Sequence, residues 1–166
     1  SEDGVLSGIT AAYMSAGCRE KGLNVYTKHI VLNEQETNRC SPDPHESWIS
    51  EQTLRELYLR PYDIAIRVGG ARNVMTSLAR VGGVWAGHNK NLLTNWLRDE
   101  AGLEGFAITD WFMSGYMSMS AGILTGQDLP DGNWLGDCLD YAKTGASAVA
   151  WSMREAAHRI MYSAVQ

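Results

Sequence analysis

The sequence contains few cysteines, and they form no pattern typical of disulfide-rich or zinc-binding proteins. Only three occur in 166 residues, Cys18, Cys40 and Cys138. Their number is odd, their spacing is wide, and no CxxC or Cys/His ligand pair is present, which argues against a disulfide framework and a zinc site. We therefore expect no metal, and a reducing compartment such as the cytoplasm.

Basic residues and long apolar runs are also scarce. The chain has 14 Lys and Arg residues against 19 Asp and Glu residues, so its formal net charge is −5 at pH 7. Proteins that bind nucleic acid normally carry a clustered basic excess, and we expect no such partner. No stretch reaches the roughly 18 apolar residues that cross a bilayer. The first residues, SEDG, lack the pattern of a signal peptide, so we expect no membrane association.

Common motifs of cofactor-binding proteins and serine hydrolases are missing too. The glycine-rich stretches VGGARN (68–73) and RVGGVWAG (80–87) have neither the GxGxxG nor the GxxxxGK[ST] order that cradles phosphates. No serine lies in a GxSxG motif, which leaves a Ser-His-Asp hydrolase without support. The carboxylate-rich segment 33–39 has no histidine at ligand spacing. These absences predict a protein that uses no nucleotide, metal or other cofactor.

What the sequence does contain is a regular alternation of short apolar runs with helical periodicity. The predicted helices are 4–18, 51–67 with Ser50 as N-cap, 90–102, 113–124 and 146–166, and the predicted strands are 23–29, 71–78, 106–110 and a short one within 125–130. The segments 33–47 and 80–89 are predicted loops. This alternation is typical of a parallel α/β fold. About four βα units fit in one partial domain, residues 1–166, which is half of a TIM-type barrel, because an eight-stranded barrel usually needs about 250 residues.

Polar side chains lie at or just after the carboxyl end of each predicted strand, where parallel α/β folds place their functional groups. They are Lys28-His29, the segment 76–80, Asp110-Trp111 and Asp128. Each has a structural alternative, since Asp110 is also a suitable helix N-cap, Lys28 and His29 also suit a solvated strand end, and Asp128 also suits a turn. Met75 and Trp111 would serve equally well in a core. The residues alone leave these alternatives open.

Taken in order, these pieces resemble glycoside hydrolase family 3, the family of many β-glucosidases. The matching stretches are TKHIVLNEQETNR (27–39), ISEQTLRELYLRPYDIAIR (49–67), VMTSLARVGGVWAGHNKNLLTNWLRDEAGLEGFAITDW (74–111), AGILTGQDLP (121–130) and the tail REAAHRIMYSAVQ (154–166). The residues after Lys-His, IVLN, differ from the Pro-Gly-His-Gly-like loop of the family's N-acetylglucosaminidase branch, so the likeness is to the glucosidase branch. It covers nearly the whole chain.

The resemblance implies part of a retaining β-glycosidase that hydrolyses β-D-glucosides through a covalent glycosyl-Asp intermediate. Asp110 matches the family's nucleophile. The Lys-His pair matches residues that hold sugar hydroxyls, and the other implied contacts line the subsites around the bond that is cut. The implied substrate-binding residues are Lys28, His29, Met75, Trp111 and Arg39. The implied partners are a β-glucoside or oligosaccharide substrate and either a second copy of the chain or the missing barrel half.

Some positions depart from the family pattern. Leu78-Ala79 stand where Tyr-Asn is usual, which removes a hydroxyl expected near the nucleophile, and 101–103 replace a common Trp-Gly-Phe. The first half of the barrel and the domain that supplies the acid/base have no counterpart in these 166 residues. Two alternatives therefore stand beside the enzyme: a catalytically inactive half-barrel fragment or engineered scaffold that self-associates into a closed barrel, and a sugar-binding pseudoenzyme.

Overall fold

A computed structural model describes residues 2–39, 44–111, 115–132, 136–143, 145 and 147–166. The strands in this part of the chain are β1 (Tyr26–Ile30), β2 (Glu46–Ser47), β3 (Asn73–Thr76), β4 (Arg80–Val81), β5 (Val84–Trp85), β6 (Ala107–Trp111) and β7 (Leu129–Asp131). The helices in it are α1 (Gly4–Arg19), α2 (51–67), α3 (Asn91–Glu100), α4 (Met119–Thr125), α5 (Gly136–Lys143) and α6 (Ser147–Val165), beside a 3₁₀ turn at Ala86–His88.

The main sheet is parallel and follows the order of the chain, β1-β3-β6-β7. Neighbouring strands in this sheet pair in parallel, and the chain segment that connects each pair contains a helix. The prediction of a parallel α/β fold is therefore confirmed. Strands β1 and β3 are shorter than predicted. Ala71, predicted to lie in a strand, donates its N–H to Ala65 O in the turn that ends α2, and Ala79 accepts from Ala86 N, so only the residues between these turns are free to pair within the sheet.

The predicted glycine-rich loop 80–89 is wrong in its first half, because residues 80–85 form a β-hairpin. Strands β4 and β5 pair antiparallel, Arg80 with Trp85 and Val81 with Val84. The two-residue turn between them is Gly82-Gly83, and Gly82 has a φ of 61°, which a glycine adopts without strain. Strand β2 pairs with β4 to complete a second, three-stranded sheet. This small sheet follows directly on the carboxyl end of β3.

Helix boundaries follow recognisable caps. Asp3 accepts the N–H groups of Val5 and Leu6 at the start of α1. The predicted cap Ser50 accepts the N–H of Thr53. Helix α2 comprises Glu51–Thr53, a π-helical part Leu54–Leu59 and Arg60–Arg67, and Pro61 falls in the first turn of the last part, where a missing N–H costs little.

The later helices match the pattern less closely. Helix α4 begins at Met119, capped by Ser118, so it is shorter than the predicted 113–124, of which residues 113 and 114 lie outside the described part of the chain. The long closing helix α6 is confirmed. Helix α5 had no counterpart in the sequence prediction.

Helix α1 packs against α2 through its smallest residues. Gly4, Gly8 and Ala12 are buried on one side of α1, and a Cβ on Gly8 would lie 2.8 Å from Cβ of Ile64, so the two helices approach as closely as a glycine permits. The larger apolar side chains of α1, including Leu6, Ile9 and Tyr13, point outward and are exposed. The helix therefore has apolar side chains on two sides, of which only one is covered by the described residues.

A buried charge network lies at the amino end of β7. Asp128 is 4% exposed, and its carboxylate accepts from Arg98 at 2.6 Å, from Arg159 at 2.7 Å and from the N–H of Ala107 at 2.8 Å. Because β7 begins at Leu129, Asp128 precedes the strand and does not follow it. The prediction that Asp128 belongs to the functional edge is therefore wrong, and its role is to join α3, β6, β7 and α6.

Replacing Asp128 with alanine should destabilise the fold strongly, because it leaves the buried charges of Arg98 and Arg159 without their carboxylate. We expect a loss of about 3–5 kcal/mol in the free energy of unfolding, measured by urea denaturation. Asp140→Ala is the matched control, since Asp140 pairs with Lys143 on the exposed face of α5. Equal urea concentrations at the unfolding midpoint for the two variants would contradict a structural role for the network.

Candidate active site

The predicted site residues meet at the carboxyl edge of the main sheet. Lys28 on β1 aligns with Met75 on β3, and Met75 aligns with Ile108 on β6. Asp110 lies two residues beyond Ile108, so it projects from the same face of the sheet. Four of the residues assigned from the sequence, Lys28, His29, Met75 and Asp110, are therefore carried by three neighbouring strands.

His29 and Asp110 are in direct contact although β3 lies between their strands. Nε2 of His29 is 3.4 Å from Oδ2 of Asp110, and the two side chains are 21% and 19% exposed. Side chains alternate between faces along a regular strand, but the pairing of β1 with β3 shifts its register between Lys28 and Ile30. This irregularity lies at His29. It places a partly buried imidazole against the carboxylate without preventing access from solvent.

The pKa of His29 lies below its ordinary value of about 6.5. Burial is the largest cause, and the positive charges of Lys28 and Arg39 act in the same direction, whereas Asp110 and Glu36 oppose the shift. His29 is therefore neutral at pH 7. The 3.4 Å contact then joins a neutral imidazole to a carboxylate, which leaves the negative charge on Asp110 uncompensated by this residue.

Asp110 lies within β6 and caps no helix among the described residues. Strand β6 continues through Trp111, whose N–H donates to Oδ1 of Asp110 at 2.7 Å, and the next described helix is capped by Ser118. The structural alternative for Asp110 is therefore wrong. Trp111 itself is 68% exposed, so its indole is available to a ligand beside the carboxylate.

The remaining predicted contacts lie further out. Lys28 is exposed on β1, and Met75 is half-buried on β3. Arg39 lies in the loop after β1 and pairs with Glu36 at 2.6 Å, while its charge still reaches His29. These positions provide a cation and an apolar surface around the His29–Asp110 pair.

The segment 76–80 is turned into the protein and contributes little to the open edge. Thr76 and Ser77 donate their hydroxyls to Ile108 O and Val31 O, and Leu78 and Ala79 are buried. Leu78 and Ala79, which stand where the family usually has Tyr-Asn, thus add apolar side chains to the core. Tyr116 donates its hydroxyl to Leu78 O at 3.1 Å and links the loop after β6 to this segment.

One carboxylate at this edge was missed from the sequence. Asp131 ends β7 and aligns with Trp111 on β6, and its N–H donates to Oγ1 of Thr109 at 2.8 Å. The signal was present in the pattern DLPD, because the three residues after Asp128 suffice for a short strand. The strand-end rule then selects Asp131 in place of Asp128.

Other classes of site find no support in the described residues. No group of three or more His, Cys, Asp or Glu side chains among them could hold a metal ion. Within the same residues, no helix has both the length and the apolar character needed to cross a membrane.

Comparison with known proteins explains this arrangement. Residues 1–127 match the sequence profile described as "Glycosyl hydrolase family 3 N terminal domain". The chain belongs to glycosyl hydrolase family 3. The resemblance inferred from the sequence motifs is therefore confirmed.

Family 3 relatives match nearly the whole chain. "Probable beta-glucosidase I" of Aspergillus flavus is 37% identical over 164 residues, which are 97% of this chain and 19% of that protein. The protein of the same name from Aspergillus terreus is 42% identical over 129 residues, 78% of this chain and 15% of that protein. The chain thus spans about a fifth of the length of these relatives.

Solved family 3 structures confirm the fold. Beta-glucosidase 3B from Thermotoga neapolitana, in complex with glucose, superposes with a TM-score of 0.87 at 29% identity over 99% of this chain and 24% of that one. A beta-glucosidase from Paenibacillus barengoltzii gives a TM-score of 0.86 at 31% identity over 99% of this chain and 19% of that one. The α/β architecture is therefore that of a partial family 3 barrel.

Replacing Asp110 with asparagine should lower the pKa of His29 further, because the carboxylate is the group that most opposes the effect of burial. The measurement is an NMR titration of the imidazole C–H resonances between pH 3 and 8. Asp140→Asn is the control, since that carboxylate lies on α5 with Lys143 and should leave His29 unchanged. A pKa of His29 that rises or stays constant in Asp110→Asn would rule out the contact.

Proposed function

We propose that this chain is the nucleophile-bearing part of a retaining β-glucosidase, with Asp110 as the nucleophile. The observation that carries the proposal is the placement of an accessible carboxylate at the carboxyl edge of a partial family 3 barrel, in contact with His29 and beside an exposed tryptophan. Catalytic groups in TIM-type barrels lie at this edge. The names of the matched relatives, which are beta-glucosidases, point to the same substrate class.

The reaction divides into two displacements at the anomeric carbon. A carboxylate oxygen of Asp110 forms a bond to that carbon while the glycosidic C–O bond breaks, and the leaving oxygen takes the bonding pair and a proton from a general acid. Water then adds to the same carbon, gives its proton to the conjugate base of that acid, and releases Asp110 as a carboxylate. Both steps need Asp110 ionised and unobstructed.

The surrounding residues suit positioning. Neutral His29 lies against Oδ2 of Asp110, and the N–H of Trp111 donates to Oδ1. Lys28 offers three N–H donors to sugar hydroxyls, and Met75 offers a soft apolar surface beside it. The exposed indole of Trp111 can stack on a sugar ring. Arg39 reinforces the positive field around His29.

The general acid comes from outside this chain in our proposal. A retaining enzyme holds its two carboxyl groups only about 5 Å apart across the glycosidic bond, one ionised and one protonated. The sequence likeness assigns the ionised group to Asp110 and none of the 166 residues to the acid. The chain also spans about a fifth of its relatives, which leaves ample sequence for the second carboxyl group.

Asp110 should become labelled by an activated glucoside that needs no general acid. A 2-deoxy-2-fluoro-β-glucoside of dinitrophenol loses its phenolate unprotonated, so the nucleophile is tested by itself. We expect one glycosyl group per chain by intact mass, mapped to Asp110 by peptide analysis, and none in Asp110→Asn.

The control for this labelling is Asp131→Asn, because Asp131 is the other carboxylate that the structure places beside Trp111. This variant should still be labelled. Labelling of Asp131, or equal labelling in Asp110→Asn, would overturn the assignment. A wild-type chain that binds glucose in calorimetry but is never labelled would instead act as a sugar-binding module.

We also propose that the barrel is completed by the segment that precedes this chain's region in the family, and not by a second copy. In parallel α/β folds a helix covers the groove between the strand before it and the strand after it. By this rule α1, which precedes β1, belongs on the free side of β1, and α6, which follows β7, belongs on the free side of β7. Two copies closing one barrel would bring an α1 and an α6 to the same position.

A cavity beside β1 supports this form of completion. It measures about 860 Å³ and is lined by Val25–Lys28 along the free side of β1, by Met14 and Ala11 of α1, and by Tyr58 and Tyr62 of α2. Tyr62 is half-buried, and burial raises the pKa of its hydroxyl above the ordinary value. The cavity has the size and apolar lining expected where a further strand would pack between α1 and β1.

Coexpression with the preceding segment of the Aspergillus flavus relative should yield a 1:1 complex in size-exclusion chromatography with light scattering. Met14→Lys should abolish it, because the charge would enter the cavity beside β1. Leu124→Lys on α4 is the control and should leave the complex intact, since α4 connects β6 to β7, away from β1, and Leu124 is exposed. A compact closed dimer of the chain alone would show that a second copy completes the barrel.

A further inference from the structure

The small sheet presents an exposed tryptophan that the proposed chemistry does not use. Trp48 directly follows β2 and is 79% exposed, more than any other tryptophan among the described residues. It lies beside the hairpin turn, with its Cζ3 atom 3.7 Å from the place where a Cβ on Gly82 would stand. Val84, also exposed, lies on the same hairpin. An indole in this position offers a large, flat apolar face to solvent.

The hairpin that supports Trp48 is firmly anchored. Trp85 is 1% exposed and donates its indole N–H to Ser77 O at 2.9 Å, which fastens β5 to the end of β3. Arg80 on β4 is held between Glu46, at 3.6 Å, and the ring of Tyr116, at 5.4 Å from the centroid. Trp48 therefore projects from a rigid support, and a ligand that contacts it does not have to order a mobile loop.

The hairpin and the candidate active site share one edge of the main sheet. Strand β3 ends at Thr76, which aligns with Thr109, the neighbour of Asp110. Gly82 is six positions after Thr76, and an extended chain covers at most about 3.6 Å per residue, so the hairpin turn lies within roughly 22 Å of the end of β3. This range suits an oligosaccharide whose rings extend from Asp110 toward the hairpin.

We propose that Trp48 stacks on a distal sugar ring of a β-linked gluco-oligosaccharide whose reacting end lies at Asp110. The inference rests on the proposed function, because it assigns the substrate of that same site to chains and not to small glucosides alone. The polar flank supports a sugar as the occupant. The Glu46–Arg80 pair lies on the strands next to Trp48 and offers acceptors and donors for the hydroxyls that surround a stacked pyranose ring.

The test compares the affinity of tetrasaccharides with that of glucose. Cellotetraose and laminaritetraose are titrated calorimetrically in parallel into an Asp110→Asn background, in which turnover is prevented. Adding Trp48→Ala should weaken the affinity for the tighter-binding tetrasaccharide about tenfold and leave the affinity for glucose unchanged. Trp48→Tyr should restore most of the lost affinity. Trp151→Ala is the control, since Trp151 is 61% exposed on α6 and stacks with Arg154.

The outcomes separate this inference from the proposed function. Equal tetrasaccharide affinities with and without Trp48, in a protein that binds glucose, would overturn the role of Trp48 and keep the site at Asp110. If the protein has no affinity for glucose but binds a tetrasaccharide, and that binding requires Trp48, the sugar site at Asp110 would be overturned and the role of Trp48 retained. No binding of any sugar would overturn both. Loss of the 1:1 complex in Trp48→Ala, with unchanged sugar affinity, would make Trp48 an interface residue.

Discussion

The buried carboxylate of Asp128 is the interaction on which the rest of this fold depends. It accepts from Arg98 of α3, from Arg159 of α6 and from the backbone of β6, and it immediately precedes β7. Arg98 further donates to the carbonyls of Gly105 and Gly126, the loops that lead into β6 and β7. A buried charge is costly unless it is paired, so the contacts to Asp128 restrain how these elements pack together. The network thereby sets the position of β6, the strand that carries Asp110.

The amino and carboxyl edges of the main sheet differ in the exposure of their polar side chains. At the amino edge, polar side chains make hydrogen bonds within the fold, as with Asn73, whose Oδ1 accepts from Phe106 N and from the Ser163 hydroxyl of α6. At the carboxyl edge, Lys28 and Trp111 are exposed and Asp110 keeps part of its surface open. Stability and chemistry are thus separated along the strands, which is the division of labour found in TIM-type barrels. A carboxylate can serve as a nucleophile at one edge because the fold does not need it as a structural partner.

The sequence was informative where a local rule decides the outcome. Ser50 caps α2 as expected, the apolar run before Asp110 forms a strand, and the order of motifs identified the family. It failed where a single residue decides between two local structures. The turn Gly82-Gly83 was taken for part of a loop, although two glycines between β-branched residues also close a hairpin. Asp128 was placed after a strand that begins one residue later.

By itself the sequence determined the alternation of helices and strands, the parallel class of the fold and the family of the chain. These follow from periodicity, caps and motif order, which involve residues close together in the chain. Only the tertiary structure decided that His29 lies 3.4 Å from Asp110 across an intervening strand, that Asp128 belongs to a buried network, and that Trp48 is exposed beside an anchored hairpin. Each of these depends on register and burial between elements distant in sequence, where the pairing of side chains is set by packing of the whole sheet.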